Sequence, residues 1–154
     1  FIATVFPEIN RLVVQKAWRR LKDLLRRVTW LALGLNAAQA LGFVLLGRWI
    51  LRLYGSEYEP AYPALLVLLT GLAFNYTLFW NRPLLLSLGL PNYPITATSL
   101  AGVVKLALAF PLVPRFGYVA EAALLSFYYI ASVGLMAWRG WREIRRRAAA
   151  EAAT

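Results

Sequence analysis

The sequence contains no cysteine and no histidine, and only 7 of its 154 residues are acidic. Without those two residue types there is no thiol nucleophile and no imidazole base, and the usual ligands of zinc, haem and iron–sulfur clusters are missing. The acids (Glu8, Asp23, Glu57, Glu59, Glu121, Glu143 and Glu151) are scattered, and no two form an evident catalytic pair. No catalytic residue, metal or cofactor is therefore expected. Charge of either sign is scarce: 16% of residues are charged and 60% apolar, against roughly 25% and 45–50% in a soluble domain. Mean hydropathy is +0.57. An ordinary water-soluble fold is excluded. A net charge of +10 would suggest nucleic acid if the basic residues formed a surface stripe. They gather outside long uncharged runs instead, so no nucleic-acid partner is expected.

Those runs decide the fold class. A bilayer core of about 30 Å needs roughly 20 apolar residues in a helix. Val28–Gly47 carries no charge; neither do residues 60–81, 83–104 (after Arg82) and 122–138. Turn residues divide the runs. Gly55 with Ser56 makes one break, Gly89-Leu90-Pro91-Asn92-Tyr93-Pro94 a second, and Pro111, Pro114 and Gly117 a third. The expectation is an all-α, polytopic membrane protein with four transmembrane helices at 28–52, 62–88, 95–113 and 118–138, forming one bundle over 28–138. Seven basic residues, Arg11 to Arg27, precede the first span, and Arg139, Arg142, Arg145, Arg146 and Arg147 follow the last. Positive charge concentrates on the cytoplasmic side, so both ends are expected there, residues 139–154 forming a basic tail.

Residues 8–27 read as a separate amphipathic helix. Ile9, Leu12, Val13, Ala17, Leu21, Leu24 and Leu25 recur at helical spacing with basic residues on the remaining arc. Such a helix is expected to lie in the headgroup layer, held by anionic lipid. The chain opens on an apolar stretch, Phe1 to Phe6, and its single methionine is Met136. Residues 1–27 are accordingly read as the end of a preceding span plus this helix, and the whole as the C-terminal part of a longer protein.

Polar residues within spans mark candidate sites, because an ionisable group there costs about 2.5–3.5 kcal/mol on insertion scales. Lys105 falls mid-span, on one face with Thr98, Gly102 and Ala109. Its ammonium has three readings: a water-filled lumen, a pair with a carboxylate such as Glu121, or snorkelling to an interface. Arg82, sharing a face with Gly71 and Asn75 and flanked by Asn81, either snorkels or contacts substrate. Asn36 and Gln39 face one side of the first span, where interhelical hydrogen bonding is the first expectation. Glu121 suits the N-terminal turn of a helix. Trp80 and other aromatics near span ends read as interfacial anchors; sugar stacking is the second reading for Trp80 and for the Tyr128-Tyr129 pair. The lumen candidates are thus Lys105, Arg82, Asn75, Asn81, Gln39 and Thr98.

Several strings resemble a family. Phe6-Pro7-Glu8-Ile9-Asn10-Arg11-Leu12, Leu51-Arg52-Leu53-Tyr54-Gly55-Ser56-Glu57-Tyr58, and Leu112-Val113-Pro114-Arg115-Phe116-Gly117-Tyr118 with Ala120-Glu121-Ala122-Ala123 are similar to segments of Wzx-type polysaccharide-export flippases. That family belongs to the superfamily that includes the MATE drug exporters, and the match in order covers most of residues 6–138. Glu121 stands where the family usually has a small residue, and the 89–94 turn lacks its common basic residue. The resemblance implies a fragment of a two-lobed transporter of roughly 12–14 spans working by alternating access. It also implies, as cargo and partner, a polyprenyl-pyrophosphate-linked oligosaccharide flipped from the inner to the outer leaflet of a bacterial-type inner (plasma) membrane. The remaining partners would be membrane lipids and the missing N-terminal spans of the same protein. A MATE-like small-molecule antiporter is the alternative. An enzyme is not expected, because the segments at 53–61 and 114–117 are short and hold no metal-binding acid pair.

Overall fold

The computed structural model describes residues 2–152, which are helical almost throughout, with no strand among the described residues. Six α-helices follow in order: α1 (Ile2–Val14), α2 (Trp18–Tyr54), α3 (Tyr62–Thr77), α4 (Asn81–Ser87), α5 (Asn92–Phe116) and α6 (Tyr118–Ala152), with a 3-10 turn at Ser56–Ala61. Four segments are long and apolar enough to cross a membrane: α2, the 3-10 turn with α3 and α4, α5, and α6. The protein is a membrane-embedded, multi-pass helical bundle.

The helices form a row in which chain order is not spatial order. α6 packs between α3 and α5, and α2 packs on the outer side of α3. Only 6% of the apolar stretch of α2 is buried within the protein, against 28% of that of α6. α6 is therefore the central element and α2 the least buried within this chain. At one end of the row the start of α2 meets the end of α6, through a hydrogen bond from Trp18 Nε1 to Glu151 Oε2 (2.7 Å). At the other end the Tyr118 hydroxyl donates to the Pro60 carbonyl (3.1 Å) and the Tyr62 hydroxyl to that of Val44 (2.8 Å). The two basic segments of the sequence thus share one end.

Local chemistry explains the helix boundaries, several of which differ from the sequence-based expectation. The stretch 8–27 is not one helix. It breaks at Gln15-Lys16-Ala17, with Lys16 at φ 54°, and α2 then continues through residue 28 without interruption. Nothing between Trp18 and Tyr54 is a strong helix breaker, so the amphipathic turns and the first span form one rod of about 55 Å. The apolar face of 8–27 does not rest on lipid either. Ile9, Leu12, Leu21 and Leu25 are buried in a protein core with Trp18, Val28, Trp80, Leu84, Leu88 and Ile144. The expected second span is interrupted at Leu78–Trp80. Pro83 lacks the N–H that would bond the Phe79 carbonyl, and its ring crowds that carbonyl, so the chain restarts as α4. α5 passes through Pro111 and Pro114 and ends at Phe116. Gly117, at φ 62° and ψ −146°, then reverses the chain in one residue, a conformation open to glycine almost alone. The basic tail from 139 is the continuation of α6, docked by the buried Ile144 and Glu143.

Candidate functional site

Between α3, α4, α5 and α6 lies a cavity of about 270 Å³. Its wall brings together four of the six sequence-derived candidates: Asn75 from α3, Asn81 and Arg82 from α4, and Thr98 from α5. α6 completes it with Tyr128, Tyr129, Ser132, Val133 and Met136, while Tyr76, Phe79 and Pro94 fill the remaining wall. Beneath it, Leu85, Ala97, Val133 and Met136 form a small apolar core. The α3–α4 break at Leu78–Trp80 lies between the helices that carry Asn75 and Arg82, and both line the cavity.

Hydrogen bonding separates the wall into occupied and available groups. The Thr98 hydroxyl donates back to the Pro94 carbonyl (2.8 Å) and that of Ser132 to the Tyr128 carbonyl (2.7 Å), so these donors are used within their own helices. Among the described residues, Asn75, Asn81 and Arg82 make no side-chain hydrogen bond or ion pair, although Asn81 is buried. Two carboxamide residues and the exposed Arg82 therefore line one cavity without side-chain partners among the described residues, beside the Tyr128-Tyr129 pair, whose rings meet edge to face at 5.4 Å. No carboxylate lines the cavity, and Arg82 leaves its field positive. Such a wall suits a ligand with hydroxyl groups and negative charge.

Lys105 and Gln39 do not join this group. Lys105 lies two turns beyond Thr98 on α5, and its ammonium pairs with the Glu121 carboxylate of α6. Of the three readings open to it, the ion pair is the one formed. Glu121, Tyr128 and Ser132 recur along α6 opposite Lys105, Gly102 and Thr98 on α5, so a polar seam runs between the two helices with the ion pair at its far end. Gln39 is exposed on α2, away from the cavity, whereas Asn36 does make the expected interhelical bond, donating to Thr77 Oγ1 (3.2 Å). Trp80 is neither an interfacial anchor nor a stacking platform. It is 1% exposed, donates Nε1–H to Thr29 Oγ1 (2.8 Å) and meets the Trp141 ring edge to face.

Ser132 and Met136 were not foreseen, though a signal was present: Tyr128, Ser132 and Met136 are spaced by four, which places them on one helical face. The Lys105–Glu121 pair carries its own prediction. Lys105→Met leaves a carboxylate within an apolar span without its partner and should lower thermal stability in detergent, while adding Glu121→Gln should restore most of the loss. Equal melting of wild type and Lys105→Met would remove the pair from the forces holding α5 to α6. No family of known proteins, no characterised protein and no solved structure matches this chain.

Proposed function

We propose that this chain is the C-terminal part of a Wzx-type flippase, moving a polyprenyl-pyrophosphate-linked oligosaccharide from the inner to the outer leaflet of a bacterial-type inner membrane. The observation that carries this reading is the meeting of Asn75, Asn81 and Arg82, without side-chain partners among the described residues, in the wall of one cavity. A cargo headgroup of this kind is anionic and rich in hydroxyls. A guanidinium in low dielectric attracts the diphosphate, carboxamides hydrogen-bond sugar hydroxyls, and the Tyr128-Tyr129 pair offers ring faces to sugar rings. The single-residue α5–α6 reversal at Gly117 and the α3–α4 break give the bundle places to flex during alternating access. With both basic segments at one end of the row, that end belongs in the cytoplasm by the positive-inside rule.

A small-molecule antiporter on the same scaffold is the second reading. It calls for an ion-coupling carboxylate deep in the membrane, and the acid at hand is Glu121, held by Lys105 but in the first turn of α6, near the end of its span. One experiment separates the two. In cells lacking the full-length protein, completed lipid-linked repeat units should accumulate on the inner leaflet. Wild type should clear them, and Arg82→Gln and Asn81→Ala should each leave most of the pool uncleared at equal membrane levels. An unchanged glycan-lipid pool in the deletion, with no redundant exporter present, would refute flipping and favour the antiporter.

A further inference from the structure

We infer that the cleft around Trp141 at the basic end, reaching from α2 to the face of α6, binds the headgroup of a diphosphatidyl phospholipid of the surrounding bilayer. Two hollows that share Trp141 form it, one between α2 and α6 and one along the α6 face. One, of about 400 Å³, is walled by Lys22, Asp23 and Arg26 of α2 together with Trp30, Trp80 and Trp141. The other, of about 490 Å³, is walled by Trp138, Trp141, Arg142 and Arg145 of α6.

The arginines of α6 are sorted into two sets. Arg139, Arg146 and Arg147 turn toward the Glu143 carboxylate. Arg142 and Arg145, one helical turn apart, face the cleft, and no carboxylate pairs with them, nor with Lys22 or Arg26, among the described residues. The Arg142 guanidinium is set in place by the Trp138 ring, 5.4 Å below it. Asp23 is the single acid in the two walls, against four cations. Each hollow thus offers a pair of cations to one phosphate, with the Trp141 ring standing between the pairs.

The level of the cleft identifies a bilayer lipid as the occupant. The uncharged run of α2 begins at Val28 and that of α6 ends at Trp138, and the cleft straddles both boundaries. Its cations sit just outside the apolar slab, while Trp30 and Trp138, both well exposed, sit where glycerol and ester groups of a lipid lie. Basic pockets between spans at this depth suit anionic headgroups. Two phosphodiesters joined by a glycerol match two cation pairs on either side of Trp141, whereas the contiguous phosphates of a diphosphate engage one pair. The site is independent of what the transporter carries.

The test uses the full-length protein, purified in detergent and delipidated, with lipid binding followed by native mass spectrometry. Cardiolipin and phosphatidylglycerol are compared at matched phosphate. Cardiolipin should bind wild type roughly thirtyfold more tightly, the worth of two additional basic residues near a membrane surface. Lys22→Gln/Arg26→Gln and Arg142→Gln/Arg145→Gln should each abolish that preference, and Arg142→Lys/Arg145→Lys should keep it. Arg19→Gln/Arg20→Gln, on exposed positions outside the cleft, should leave it unchanged. Equal binding of the two lipids to wild type, or an equal loss in the Arg19/Arg20 variant, would overturn the assignment. So would displacement of cardiolipin by an equimolar polyprenyl diphosphate, which would give the cleft to the cargo.

Discussion

Gly71→Ala is expected to lower the stability of the bundle by about 2–3 kcal/mol, the upper part of the range for overpacking. A Cβ at position 71 would lie 2.4 Å from Cα of Ser126 and 2.8 Å from its Cβ and Oγ. The closest obstacle is backbone, so no rotamer change relieves it, and α3 and α6 must separate by about 1 Å to regain ordinary contact. In a membrane this separation is not offset by hydrophobic attraction, because lipid tails are as apolar as leucine; close packing is what holds the helices. The same shift would stretch the 2.6 Å hydrogen bond from Ser126 Oγ to the Val67 carbonyl. Asn75 follows one turn along α3, so the cavity wall would move with it. Thermal or denaturant unfolding in detergent measures the effect. Gly34→Ala and Gly42→Ala, with nothing within 4 Å of the added atom, should be neutral or slightly stabilising. If Gly71→Ala unfolds with wild type, α3 and α6 do not pack this closely.

Glu143→Ala should undock the end of α6 from the turn between α4 and α5. The carboxylate is 1% exposed and accepts from Arg146 Nη2 (2.7 Å) and Arg147 Nε (2.8 Å). Arg147 in turn donates through Nη2 to the Leu88 carbonyl (2.7 Å), so one acid orients the arginine that ties α6 to the neighbouring turn. Removing a buried member of such a pair costs about 3–5 kcal/mol when its partner is left stranded. Here Arg146 is largely exposed and regains water, which brings the expected loss to about 1–3 kcal/mol. Hydrogen exchange should quicken in residues 139–150 and in the turn at 88–91 together. Arg146→Ala should change little. Quickening confined to α6 would mean that the Arg147–Leu88 contact survives without Glu143.

Glu143 also shows where a linear reading stops. An acid among five arginines looks like one charge in a solvated tail, and nothing in its neighbours in sequence announces that Ile144 and Glu143 turn inward. Trp80 is a similar case: a tryptophan near a span end has the composition of an interfacial anchor, and only the packing of Thr29 and Trp141 against it makes it core. The position of Lys105 leaves three readings open, and choosing the pair with Glu121 requires knowing that α5 and α6 are adjacent and antiparallel. The interruption at Leu78–Trp80 was by contrast legible in principle, since Pro83 carries it locally.

What the sequence determined by itself is the solvent and the class of structure. Uncharged runs of sufficient length have one stable home, a bilayer, and in a bilayer a backbone with no water must satisfy its hydrogen bonds within a helix. The gathering of basic residues outside those runs is equally a property of the chain. The order of helices in the row, the central place of α6, the meeting of Asn75, Asn81, Arg82 and Thr98 in one cavity, and the division of the α6 arginines between Glu143 and the open cleft were decided by tertiary structure. Each depends on which face of one helix meets which face of another. Inside a membrane that choice rests on small residues such as Gly71 and on single polar contacts, and not on the overall hydrophobicity that sequence composition measures.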